Sequence, residues 1–184
     1  LKTVQSLYDD KLDYLKSDFK PFTTATVITS SDLTLTTAMV EANILEIKTI
    51  IDDYTQKVIR GALLANVTGK KFDYPKIHND EKDSYINKVY SNTITTADGF
   101  ERGLSIKKAT DLDLKYFIYE GGLIKTSRPF CIHRSGKIFT MKELKSWDNG
   151  QKLPVIPYLG GYNCRHHINW ISDELAKSLG AKDG

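Results

Sequence analysis

From Leu35 to Val67 the chain contains no proline and a single glycine, Gly61. Val40, Ile44, Ile47, Ile51, Tyr54 and Val58 recur along it at the three- and four-residue spacing of one helix face. Further apolar residues, among them Met39, Ile50, Ile59 and Leu63, broaden that stripe, and a stripe so wide predicts a helix packed on two sides rather than a coiled-coil seam. A helix of this length sets the scale of the N-terminal region and leaves little of it for a sheet.

The flanking segments read the same way. Val4, Leu7, Tyr8, Leu12, Leu15 and Phe19 mark an earlier helix that Lys20-Pro21 ends, because a residue before proline avoids the helical region. Residues 22–30 are β-branched and uncharged, so they predict a strand or an extended arm, with Ser31 or Asp32 capping the long helix. Asn66-Val67-Thr68-Gly69 is an exit signal, and residues 70–82 read as a charged connector holding a solvated His78. Ser84–Asp98 and Phe100–Leu114 read as two further helices parted at Gly99.

At Lys115 the period changes. Lys115–Tyr119 and Lys137–Thr140 are strand-like, and His166–Ile171 is a third candidate strand. Thr140-Met141-Lys142-Glu143 is a capping box that opens a short helix over 141–147. Residues 151–163, with two prolines and a glycine pair, predict no helix, and Ser172-Asp173 caps a last short one. The fold class is therefore α+β, with a mainly helical N-terminal region followed by a small loop-rich β/α module. The divisions are 1–114 for the helical region, 115–172 for the module, and 173–184 for a short helix and tail.

Composition narrows the class. Hydrophobic residues make up 40% and charged residues 27%, a globular balance. Residues 1–100 hold 12 Lys and Arg against 14 Asp and Glu, while residues 101–184 hold 14 against 9, so the mild basic excess lies in the second part. That is far from the concentrated basic face of a dedicated DNA binder. No window approaches the 18 or so apolar residues that cross a membrane, which implies no membrane partner, and the N-terminal stretch is polar rather than a signal peptide. The first residue is Leu, which implies a processed or partial product.

The reactive residue types concentrate in the module. It holds both cysteines, three of the four histidines and three of the five arginines. Cys131-Ile132-His133 and Cys164-Arg165-His166-His167 are two short Cys/His clusters that can supply soft and borderline ligands to a tetrahedral zinc ion. The candidate zinc ligands are thus Cys131, His133, Cys164, His166 and His167. Usual zinc spacing places two to four residues between ligands, and on an extended strand a C-x-H pair points both side chains to one face. A disulfide and a simple buried thiol pair are the other two readings, and all three require Cys131 beside Cys164. A Cys131–His133 nucleophile and base, or a double-histidine nuclease, lacks the further residues such chemistry needs, so no catalytic residue is assigned. Arg128, Arg134 and Arg165 can contact the phosphates of packaged DNA or a partner, or can bridge carbonyls and carboxylates such as Glu120 and Glu143 within the module. The second role suits Arg128 and Arg165, which sit in Gly- and Pro-rich turns.

Taken together, Tyr119-Glu120-Gly121, then Thr126-Ser127-Arg128-Pro129-Phe130-Cys131, then Gly136-Lys137-Ile138-Phe139-Thr140 with Glu143-Leu144, then Gly160-Gly161-Tyr162-Asn163-Cys164-Arg165-His166, resemble the C-terminal module of tailed-phage minor head proteins. This is the Mu F-like head morphogenesis family, and the likeness covers about residues 115–171. Members of that family often carry Cys where this chain has His after the second cysteine. The resemblance implies a virion protein of the head, formed in the host cytoplasm during assembly. It implies contact with the portal and major capsid proteins, a place near packaged DNA in the capsid, and no settled enzymatic activity. The alternative that the residues themselves leave open is a zinc-stabilised nucleic-acid-binding or nuclease module.

Overall fold

A computed structural model describes residues 3–181 of the 184. The fold is α+β: three long helices and a small antiparallel sheet with short helices around it. Helix α1 (Val4–Phe19) is opened by Thr3, whose side chain accepts from the Ser6 N–H. It buries Tyr8, Leu12, Leu15 and Phe19, the face its apolar spacing predicts.

Residues 22–29 form turns and bends, not a strand. The cap of the next helix is Thr29, with Asp32 as the third residue of a full capping box, rather than Ser31 or Asp32 as the cap itself. Helix α2 (Ser30–Val67) is about 57 Å long at 1.5 Å per residue. Helix α3 (Tyr74–Asp111) matches it in length and runs back along it. Their cross-contacts climb one helix as they descend the other: Asp32 to Lys108, Asn43 to Asn92, Tyr54 to His78.

Two expected interruptions of α3 are absent. The connector at 70–82 ends early, because Asp73 caps the helix and Pro75 sits in its first turn, where a missing N–H costs nothing. His78 is therefore helical and hydrogen-bonds the Tyr54 hydroxyl at 2.7 Å. The helix also passes through Thr93–Thr96 and Gly99. Thr95 is buried against the body, so packing outweighs the weak helical preference of that run. A Cβ at Gly99 would lie 3.3 Å from the Pro157 carbonyl oxygen, so the glycine serves close approach rather than a break.

The expectation that α2 is packed on two sides holds only in part: α1 and α3 both pack on it. No residue of α2 beyond Asn43 is buried. Ile44, Leu45, Ile51, Leu63, Leu64 and Val67 are exposed, so past Asn43 much of α2 away from α3 lies open.

The sheet has the order β2-β1-β3, from β1 (Tyr116–Glu120), β2 (Ile138–Thr140) and β3 (His167–Ile171), with both pairings antiparallel. Around it lie α4 (Pro129–Arg134), α5 (Met141–Ser146), the single turn α6 (Val155–Tyr158) and α7 (Asp173–Ser178). The Thr140–Glu143 capping box forms as its sequence predicts and satisfies two of the free N–H groups of α5, whereas α6 forms in a stretch expected to hold no helix. One contiguous core joins Tyr8, Phe100 and Leu104 of the helices to Phe117, Leu144 and Trp170 of the module. Trp170 donates its indole N–H to Ser105 at 2.9 Å, so residue 114 ends a period but not a packing unit.

Candidate metal centre

Cys131 and Cys164 meet in this core. Pro129 occupies the first turn of α4, preset for a helix, and the helix turns the Cys131 side chain inward beneath the sheet. The pair Cys131-Ile132-His133 is therefore helical, not extended. Two residues along a helix is a rotation of about 200°, so His133 faces solvent while Cys131 is buried. This removes His133 from the ligand set and rules it out as a base for Cys131.

The second arm is the loop from Pro157 to His166. It delivers Cys164 to within 3.8 Å of Cys131, sulfur to sulfur, with both cysteines free. His166 is buried beside them and places Nδ1 3.6 Å from the Cys164 sulfur. All three donor atoms lie within 4.8 Å of one another. The next residue, His167, alternates to the other face of β3, where Nε2 lies 3.7 Å from a Glu120 carboxylate oxygen. It takes no part in the cluster.

Tyr119, the last buried residue of β1, completes the group. Its hydroxyl lies 3.4 Å from Cys131 Sγ and 3.6 Å from Cys164 Sγ, and its ring stacks on His166 at 5.0 Å. Gly160 closes the far side, since a Cβ there would fall 2.4 Å from Cys131 Sγ. Burial and the adjacent thiols push the Tyr119 hydroxyl far up. Within the thiol pair the hydrogen bond from Cys131 favours the thiolate on Cys164, helped by the His166 backbone N–H, Tyr119 and the nearby Arg102. The Cys131 thiol is pushed up in turn by that thiolate and by burial.

Arg102 holds the loop in place. Only 1% exposed, it donates from Nε and Nη2 to the His166 carbonyl, from Nη2 to that of Cys164, and from Nη1 to that of Pro157. Arg128 reads the same loop from the other side through the carbonyls of Gly160 and Tyr162. Arg165 pairs with Asp98 at 3.1 Å and reaches the Asn163 side chain. Arg134 stacks over Phe130 and Trp147. All three arginines considered for DNA contact thus make internal contacts. Bridging of carbonyls is the role of Arg128, while Arg165 uses Asp98 rather than Glu120 or Glu143.

Arg102, Tyr119 and Gly160 escape sequence reasoning. The one local sign of Arg102 is its four-residue spacing from Asp98, which is common on solvated helices. Tyr119 enters the motif set only as the end of a strand-like run, with no sign of a place beside the sulfurs, and nothing in Gly160 announces a sulfur beneath it.

Beside the cluster, Lys11, Tyr14, Asp98, Glu101 and His167 help line a cleft of about 290 Å³. Glu101 is 3% exposed, and burial raises its carboxyl from 4.5 to about 7; Lys11 and Arg102 oppose the rise, while Asp98 and Asp18 add to it. Folded protein therefore holds this proton between pH 4.5 and 7 where unfolded chain has lost it, so stability present at low pH is lost as pH rises through that window. Glu101→Gln, which mimics the protonated form, is expected to stabilise the protein by about 2 kcal/mol at pH 8 and by little at pH 4.5. Urea unfolding of both proteins across that range checks it; an equal gain at both ends would show that Glu101 is ionised throughout.

No family model matches the chain, and neither a curated protein nor a solved structure does.

Proposed function

We propose that this chain is a minor structural protein of a tailed-bacteriophage head, formed in the host cytoplasm and carried in the virion through contacts with portal and major capsid proteins. The observation that carries the reading is the way the motif segments converge. Thr126–Cys131, Gly160–His166 and the Tyr119 strand end, far apart in sequence, build one closed knot. Their reactive residues are spent on each other and on backbone carbonyls. Such an arrangement suits a rigid module within an assembly better than a catalyst, which needs reactive groups aimed at open space.

A surface open to a partner lies along α2. Ile44, Leu45, Ile51, Leu63, Leu64 and Val67 are exposed along the helix, and exposed apolar side chains in such number mark protein contact. The first 100 residues carry slightly more acidic than basic groups, which favours a protein partner over DNA. Contact with packaged DNA and the nucleic-acid-binding alternative both lose support where Arg128, Arg134 and Arg165 are already engaged.

Purified particles decide the matter. The protein is expected among their components, and Ile51→Glu with Leu64→Glu is expected to leave folding intact while abolishing incorporation. Absence from particles, together with normal packaging when the chain is deleted, would overturn the reading. A DNA titration whose affinity falls steeply with salt would turn it toward nucleic acid.

A further inference from the structure

The geometry points to a closed tetrahedral zinc site made by Cys131 Sγ, Cys164 Sγ and His166 Nδ1, with the Tyr119 hydroxyl at the fourth vertex. Zinc lies about 2.3 Å from thiolate sulfur and about 2.0 Å from nitrogen or oxygen, so a regular tetrahedron has edges of about 3.8 Å between sulfurs and about 3.5 Å between sulfur and N or O. The sulfurs here are 3.8 Å apart, Cys164 Sγ to His166 Nδ1 is 3.6 Å, and the Tyr119 oxygen lies 3.4 and 3.6 Å from the two sulfurs. The edges are those of a zinc tetrahedron on four of its sides. A bonded disulfide needs sulfurs about 2.05 Å apart, far closer than these.

Three further features favour the ion over a bare thiol pair. All four donor residues are buried, so no water competes for the thiolates. Arg102 and Arg128 fix the backbone of the loop that carries Cys164 and His166, the outer support a metal site needs. Gly160 keeps the space above Cys131 Sγ free of a side chain. With Tyr119 filling the fourth direction there is no open position for substrate, so the ion is structural. It ties α4, β1 and the loop before β3 together, and His133 and His167 stay outside.

The test uses the whole chain, purified under reductant, reconstituted with zinc and freed of excess. Elemental analysis is expected to find about one zinc per chain. His133→Ala and His167→Ala should keep it; Cys131→Ser, Cys164→Ser and His166→Ala should hold well below one. Tyr119→Phe should weaken zinc in chelator competition by about tenfold or more. Where a cysteine variant fails to fold, cobalt titration of the unaltered chain decides: thiolate-to-cobalt charge transfer and strong visible bands of a tetrahedral ion are expected. No retained zinc with no charge-transfer band overturns the site, as does zinc kept by the Cys131→Ser, Cys164→Ser double variant. An intact mass showing a disulfide in the reductant-purified chain overturns it too. Unchanged affinity in Tyr119→Phe overturns the fourth vertex.

Discussion

Arg102→Met is expected to cost about 4 kcal/mol, near the top of what a single substitution does. Methionine fills a similar volume, so the cost is not a cavity. It comes from the carbonyls of Pro157, Cys164 and His166, which lose their donors inside the protein. Each unsatisfied buried acceptor costs about 1–3 kcal/mol, and partial relaxation of the loop lowers the sum. Asp98 loses a guanidinium 3.9 Å away as well, though Lys11 at 2.6 Å and Arg165 at 3.1 Å remain to neutralise it. Lysine is a poor rescue, because a point charge cannot span three carbonyls as a planar fork does. Thermal unfolding checks this: in a chain of this size the loss lowers Tm by roughly 10 °C. A change under about 1 kcal/mol would mean that Arg128 alone holds the loop.

Asp32→Ala, which deprives Lys108, six residues beyond Arg102 along α3, of its partner, is expected to cost a similar amount, about 4 kcal/mol. Asp32 is 3% exposed and accepts from the Lys108 ammonium, the Thr29 backbone N–H and the Thr29 hydroxyl. Its removal strands a buried ammonium and takes away the return half of the α2 capping box in one step. Burial pushes the carboxyl up, but Lys108 and Thr29 outweigh it and hold the group down to about 2 from an ordinary 3.8. The sign follows: the stability Asp32 contributes is complete above pH 3.8 and is lost as pH falls toward 2. Unfolding of the parent between pH 5 and 2 should therefore show an acid limb that Asp32→Ala flattens. Lys108→Met added to Asp32→Ala should recover much of the loss, because a pair replaced whole leaves no stranded charge. A double variant no more stable than Asp32→Ala would place the cost in the cap rather than in the ion pair.

How far such residues can be read from sequence depends on the range of the forces that place them. The Thr140–Glu143 box, the Ser172 cap and the three strands are legible because turn chemistry and two-residue alternation act within a few residues. The meeting of Cys131 with Cys164 was equally open to inference, as two apolar thiols in one small module have few other places to go. His133 departs from expectation for a local reason: Pro129 in the first turn of α4 makes the C-x-H pair helical, and a helix separates what a strand aligns. The expected connector over 70–82 and the expected break at Gly99 give way to helix because proline and glycine are not always stops. At Pro75 the ring fits a helix start, and at Gly99 the missing side chain admits Pro157.

The open face of α2 marks the same limit. Periodicity reports that a stripe is apolar, and a neighbour must exist in space before that stripe is buried. By itself the amino-acid sequence determined the course of α1 and most of α2, the strand positions, the Thr140 and Ser172 caps, and the gathering of soft donor types into one module, since each follows from backbone preference over a handful of residues. The tertiary structure alone decided that Tyr119, not His133, joins the two cysteines and His166. It alone decided that Arg102, 64 residues before His166, holds their loop, because contacts across such a span are set by how whole elements pack and leave no mark in local spacing.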